Sequence, residues 1–229
     1  MERHRVDIDR AVVHIVTTER SDGSFALDVE PMLLDDRRST ICDEPWLPLR
    51  QVHGTTIVDA GRLVGQSRSV AAVPPLADGA VTFDDACAVS VLTADCAPVV
   101  LIGSNGVAVV HAGWRGAADG VIGAAARQLT AGGARPVASV LGPCIQPRAY
   151  EFGAEDLKPI VAEFGDAVVS RTASGADALD LTRVVQIACE RAGWPQPERP
   201  QCTSDRRFFS HRSRGDVGRQ ATVAWIEMQ

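Results

Sequence analysis

Ala97-Pro98-Val99-Val100-Leu101-Ile102-Gly103-Ser104-Asn105-Gly106-Val107-Ala108-Val109-Val110-His111-Ala112 decides the fold. Two β-rich apolar runs flank Gly103-Ser104-Asn105-Gly106, and Asn-Gly between such runs is a strong hairpin signal. A turn centred on Ser104-Asn105 sets residue 98 opposite 111 and residue 96 opposite 113. Cys96 and His111 then lie diagonally across one ladder. Diagonal Cα atoms are roughly 7–8 Å apart, so the two side chains can converge on one atom. A soft thiolate meeting an imidazole suits zinc. Taken singly, each residue also fits a buried core position.

Downstream, Gly113-Trp114-Arg115-Gly116 opens a small-residue segment, residues 117–129. This reads as a strand feeding a tight turn and then a helix. Glycines before a helix let backbone N–H groups face an anion. Arg115, at that turn, is the candidate phosphate holder, with a salt-bridged surface arginine as the alternative. Upstream, residues 88–92 form another apolar run, closed by Thr93-Ala94-Asp95-Cys96. Asp95 can serve as a general base, as an orienter of the thiolate or as a turn former; the orienting role is ranked first. His53, in Gln51-Val52-His53-Gly54, is a third candidate ligand, although its place beside the other two is not fixed by the sequence. A Cys-His-His set leaves one coordination position open, as in a catalytic zinc site.

Elsewhere, residues 11–18 read as an opening strand, 35–48 as a loop, and 61–77 as a connection between strands. Residues 137–141 and 221–226 read as strands. Residues 154–164 and 181–192 read as helices, the first with Pro159 as a kink. No internal repeat or long linker interrupts the chain. We therefore expect one α/β domain over residues 1–229, with a mixed sheet.

These motifs together resemble the polyphenol oxidase, or laccase-domain, family (YfiH-like, DUF152, FAMIN-related). The matching segments are Gln51-Val52-His53-Gly54, Ala77-Asp78-Gly79-Ala80-Val81-Thr82, Thr93-Ala94-Asp95-Cys96-Ala97-Pro98-Val99 and His111-Ala112-Gly113-Trp114-Arg115-Gly116. Leu141-Gly142-Pro143-Cys144-Ile145, Tyr150-Glu151-Phe152-Gly153, Leu179-Asp180-Leu181 and the stretch from Cys202-Thr203 to Arg212 add to them. The likeness runs from about residue 50 to the C-terminus. Thr17-Thr18-Glu19-Arg20-Ser21-Asp22-Gly23-Ser24-Phe25 departs from the family's paired-glycine segment. The resemblance implies layered, mixed β-sheets flanked by helices, related to a toxin-type cysteine deamidase fold. It also implies metal ligands at His53, Cys96 and His111.

Composition sets bounds. The chain has 229 residues, 45% hydrophobic and 23% charged, an ordinary globular balance. A net charge of −6 argues against a general nucleic-acid binder. The basic run of residues 206–214 reads as a solvated edge or an anion site. No run reaches the ~18–20 apolar residues of a membrane span, and residues 1–10 lack an apolar leader core, so a cytoplasmic protein is expected. The six cysteines have no CxxC spacing and are expected as free thiols. Cys144 reads either as a buried thiol or as a residue lining the substrate pocket. His4, His14 and His211 are given no role in the site.

The resemblance implies a zinc enzyme that phosphorolyses purine nucleosides and deaminates adenosine. Its small-molecule partners would be a purine nucleoside and phosphate. Copper is the less favoured metal, because a multicopper centre needs more than the five histidines present. Two alternatives stand beside this. One is a metal-independent cysteine hydrolase with Cys96 as nucleophile and His111 as base, a reading that accommodates peptidoglycan-precursor editing. The other is a catalytically degenerate paralogue that binds a nucleotide-like ligand. The oligomeric state is left open.

Overall fold

Two five-stranded sheets carry the fold. The computed structural model describes residues 1–66, 73–85 and 87–229. In chain order the elements are β1 (Glu2–Ile8), β2 (Ala11–Thr17), α1 (Pro31–Ser39), β3 (Trp46–Leu47), β4 (Ile57–Asp59), α2 (Ala60–Gln66), β5 (Gly79–Thr82) and β6 (Ala88–Thr93). Next come β7 (Ala97–Gly103), β8 (Gly106–Ala112), α3 (Trp114–Ala118), α4 (Val121–Ala131), β9 (Pro136–Leu141) and α5 (Ala154–Phe164). The chain closes with β10 (Val169–Arg171), β11 (Asp177–Leu179), α6 (Leu181–Arg191), α7 (His211–Arg214) and β12 (Gln220–Met228).

One sheet has the order β1-β2-β12-β6-β3 and the other β4-β5-β8-β7-β9, with β10-β11 as a separate ribbon. Both large sheets are mixed. β3 runs parallel to β6 and β4 parallel to β5, while the other pairs are antiparallel. The β7–β8 hairpin forms in the expected register, with Pro98 opposite His111 and Ala97 opposite Ala112.

Period-two alternation explains the layers. Val100, Ile102, Val107 and Val109 pack against Val13, Ile15, Val89, Val91, Ala224 and Ile226 of the other sheet. Their alternates, Val99, Leu101, Ala108 and Val110, meet Val121, Ile122, Ala125 and Leu129 of α4, Ile160 of α5 and Val184 and Val185 of α6. A sheet covered on both faces has no polar side, which is why β7 and β8 read as unbroken apolar runs. The outer face of the first sheet is covered by Phe25, Leu34, Ile41 and Trp46, packed on Val16, Val223 and Trp225.

Several sequence expectations need correction. Residues 35–48 are not a loop: α1 and β3 occupy much of the stretch. Pro31 sits at the start of α1, and the Glu30 carboxylate caps it by accepting from Met32 N and Leu33 N at 3.1 and 2.9 Å. The helix expected over 117–129 is two helices, because Gly120 takes a left-handed φ of 91° between α3 and α4. The connection at 61–77 begins inside α2, and its residues 67–72 lie outside the described residues. β1, a charged edge strand, and the β10–β11 ribbon were not anticipated. Pro159 lies inside α5 without ending it. No helix among the described residues is long and apolar enough to cross a membrane.

Candidate metal centre

Three strand-end segments meet at one point. His111 is the second-last residue of β8, Cys96 lies in the turn from β6 to β7, and His53 lies in the loop before β4. The Cys96 Sγ is 3.9 Å from His53 Nε2. The His53 and His111 rings stand edge to face with centroids 4.7 Å apart. One donor atom from each residue falls within 4.8 Å of the others. The expected convergence is therefore present, and His53, which the sequence left unplaced, joins it.

Asp78, just before β5, organises the cluster. It is fully buried. Its Oδ1 accepts from His111 Nδ1 at 2.9 Å and from His53 N at 2.8 Å, and its Oδ2 accepts from Gly54 N at 2.7 Å. Val52 N lies 3.1 and 3.2 Å from the two oxygens. An ionised carboxylate only accepts, so the His111 Nδ1 carries a proton, which leaves Nε2 as the ring atom that faces the cluster. Burial works to raise the Asp78 pKa, but His111 and the three backbone N–H groups outweigh it and hold it below the usual range. Sequence reasoning quoted Ala77-Asp78-Gly79 without giving Asp78 a role. The available signal was a lone acid wedged against a glycine at the start of a strand.

Desolvation opposes charge on Cys96, yet His111 and His53 overcome it and bring the thiol down to about 6. Desolvation also opposes charge on His111, while Asp78 and Cys96 hold its proton and push it up to about 9. The donor set is one thiolate and two imidazole rings, with His111 Nδ1 engaged by Asp78 and Nε2 left to bind once it gives up its proton, and it fits a metal ion with an open position. Among the described residues this is the one group of His, Cys, Asp and Glu able to hold a metal. His14 is engaged elsewhere, bonded to Glu227 at 2.5 Å and stacked on Trp225.

The centre lies in a cleft of about 760 Å³, whose walls include Trp114, Arg115, Tyr150 and Arg212. Ala26, Leu27 and Asp28, just after the divergent Thr17–Phe25 segment, also line it. Arg115 sits within α3 rather than in the turn before it, and its guanidinium lies 4.2 Å from the Trp114 ring centroid. α3 is only five residues long, so the expected backbone anion site at its start loses its basis, and the side chain alone remains. Arg115 is exposed and has no ion-pair partner among the described residues.

Asp95 adopts a φ of 103°. Its oxygens accept from Thr203 Oγ1, Ser210 Oγ and Arg212 N, each at 2.6 Å. This carboxylate ties the turn beside Cys96 to the C-terminal segment. Cys144 is fully buried, and burial pushes its thiol up to about 12. It contacts Gln146 and Thr182 and does not line the cleft, which corrects the reading of a pocket-lining thiol. The basic run divides: Arg207 pairs with Glu19 and Arg214 with Asp216, while His211 and Arg212 reach the cleft.

Known proteins resemble this chain in sequence and in fold. Residues 32–227 match the family model described as multi-copper polyphenol oxidoreductase laccase. A purine nucleoside phosphorylase of Xylella fastidiosa is 38% identical over 212 residues, covering 86% of this chain and 80% of that one. A purine nucleoside phosphorylase of Streptomyces coelicolor is 35% identical over 218 residues, covering 93% and 83%. Among solved structures, a DUF152-family protein of Neisseria meningitidis superposes with a TM-score of 0.76 at 25% identity, over 99% of this chain and 100% of that one. The YfiH protein of Bacillus licheniformis gives a TM-score of 0.78 at 22% identity, over 97% and 98%.

Proposed function

The chain belongs to the laccase-like polyphenol oxidoreductase (YfiH, DUF152) family, and from that premise we propose that it is a zinc-dependent purine nucleoside phosphorylase. The observation that carries this reading is the His53–Cys96–His111 donor set on the floor of an arginine-bearing cleft. The family description names several coppers. One thiolate and two imidazoles in a single group suit one zinc better than a multicopper centre. A zinc held by His53, Cys96 and His111 would supply Lewis-acid chemistry there.

Phosphorolysis forms a bond from a phosphate oxygen to the ribose C1′ as the C1′–N9 bond breaks, and the departing purine takes the electron pair and then a proton. Arg115 in the cleft wall, exposed and cationic, supports the reading that it holds the phosphate by charge-assisted hydrogen bonds. The Trp114 and Tyr150 rings offer apolar faces to a planar base. The hydrogen bond from His111 Nδ1 to Asp78 supports the reading of His111 as a ligand through Nε2. Adenosine deamination is a second reaction of the same cleft, in which water adds at purine C6, the C6 amino group leaves as ammonia and the C1′–N9 bond stays intact. The thiolate of Cys96 beside a protonated His111 supports one further reading, a metal-independent cysteine hydrolase.

Arg115 separates these readings. With adenosine saturating, the initial rate against phosphate concentration should fall about ten- to a hundred-fold in Arg115→Ala, the loss of one charge-assisted bond. Deamination in phosphate-free buffer should change little, and Arg115→Lys should restore phosphorolysis only in part. Equal losses in both reactions would remove Arg115 as the phosphate residue. Activity that survives thorough metal stripping would favour the hydrolase, and neither reaction in the wild type would favour a binding paralogue.

A further inference from the structure

We infer that Asp78 preforms the metal site, locking both histidine ligands through one carboxylate before any metal arrives. The inference rests on the metal-centre reading and adds to it how the site is assembled. Val52, His53 and Gly54 aim three consecutive backbone N–H groups at the Asp78 oxygens. His53 meanwhile holds a φ of 60°, a left-handed conformation that a non-glycine residue rarely keeps without compensation. Successive N–H groups around such a residue form an anion-binding nest. Here the anion is internal. The nest closes on Asp78, and its closure sets the backbone from which the His53 ring reaches Cys96.

The same carboxylate takes the Nδ1–H of His111. The Asp78 backbone also accepts from His111 N at 2.7 Å and donates to Thr56 O at 2.9 Å. The acid is thus pinned between β8 and the segment leading into β4. One buried charge therefore fixes a loop conformation on one side and a ring tautomer on the other. Both histidines depend on it, although they lie far apart in sequence and on different elements. Asp78 touches neither substrate nor metal in this scheme; it is a positioning residue.

Asparagine is the sharp probe. Both Asp78 oxygens accept, so Asp78→Asn must turn an NH₂ group either toward the Gly54 N–H or toward the N–H groups of His53 and His111. Zinc affinity, measured by competition with a chromophoric chelator, should fall about ten- to a hundred-fold in the folded variant. Where the NH₂ group turns toward His111, the ¹⁵N signals of its ring should show loss of the Nδ1–H tautomer, a change that a general loss of stability would not produce. A folded Asp78→Asn protein with wild-type zinc affinity and an unchanged His111 tautomer would overturn the inference.

Metal-stripped wild-type protein supplies a test that does not depend on how the variant folds. The amides of His53 and Gly54 should stay protected from hydrogen exchange, and His111 should keep its Nδ1 proton. Free-loop exchange at those amides would show that the metal, not Asp78, builds the site. If wild-type protein takes up no zinc while these amides are protected, the metal reading fails and the Asp78 lock stands.

Discussion

The thiol of Cys96 and the imidazole of His111 share one electrostatic environment, in which desolvation opposes charge on both; His111 and His53 overcome it at Cys96, and Asp78 and Cys96 overcome it at His111. The Cys96 pKa is lowered from 9.0 to about 6, so its contribution to stability is full above 9 and lost as pH falls through 6. The His111 pKa is raised from 6.5 to about 9, so its contribution is full below 6.5 and lost as pH rises through 9. The two slopes oppose each other between 6.5 and 9, and stability of metal-free protein should vary little there from this pair. The signature is spectroscopic instead. Thiolate absorbance of metal-stripped protein should rise with a midpoint near 6 and lose that step in Cys96→Ser. Cys42, Cys87, Cys144 and Cys189 stay silent, because burial lifts each of them to about 11 or 12. A lowest thiol step near 9, untouched by Cys96→Ser, would contradict the electrostatic account. At this scale the sequence was readable where chemistry and strand register coincide, as at Cys96 and His111. It marked Asp78 only as an acid before a glycine and gave it no role, because its partners are set by the β5–β8 pairing and by a loop some distance away in the chain.

The elements hold the site through two glycines of different kinds. A Cβ on Gly113 would stand 2.7 Å from His53 Cδ2 and 3.4 Å from Cys96 Sγ, so the bare backbone at the start of α3 makes room for the cluster. A Cβ on Gly120 would meet nothing within 4 Å, but φ there is 91°. Gly113→Ala should therefore displace the His53 ring and lower bound zinc with modest loss of stability. Gly120→Ala should cost roughly 1–2 kcal/mol of unfolding free energy and leave the metal in place. Denaturant unfolding and elemental analysis on both variants check this, and unchanged zinc in Gly113→Ala would refute the crowding argument. The hairpin register and helices α5 and α6 were legible because Asn-Gly and apolar periodicity are local signals. α1 was not, since its exposed face is charged and only Leu34 among its residues is buried. Pro31 after Glu30 was the overlooked start signal. β1 was obscured for a similar reason: an edge strand with charged, exposed positions lacks a full apolar face.

At the scale of the whole molecule, two stacked mixed sheets bring the end of β6 in one sheet beside the end of β8 in the other, and Thr93 and His111 line the same cleft. Helices α4, α5 and α6 cover the opposite face of the second sheet, leaving the strand ends and their loops to form the site. The sequence indicated layered sheets through its family resemblance, whereas the division into two five-stranded sheets depends on β12 returning to pair between β2 and β6. No local pattern encodes that long-range choice. The central claim is phosphorolysis at a metal held by His53, Cys96 and His111. It is tested most directly by phosphate-dependent release of free purine base and ribose 1-phosphate from adenosine, with zinc content measured on the same samples. The expected result is saturable release by zinc-bearing wild-type protein, with release and zinc lost together in Cys96→Ser. Zinc-loaded wild-type protein that releases no base at any phosphate concentration, or a Cys96→Ser protein that keeps its zinc, would contradict the account.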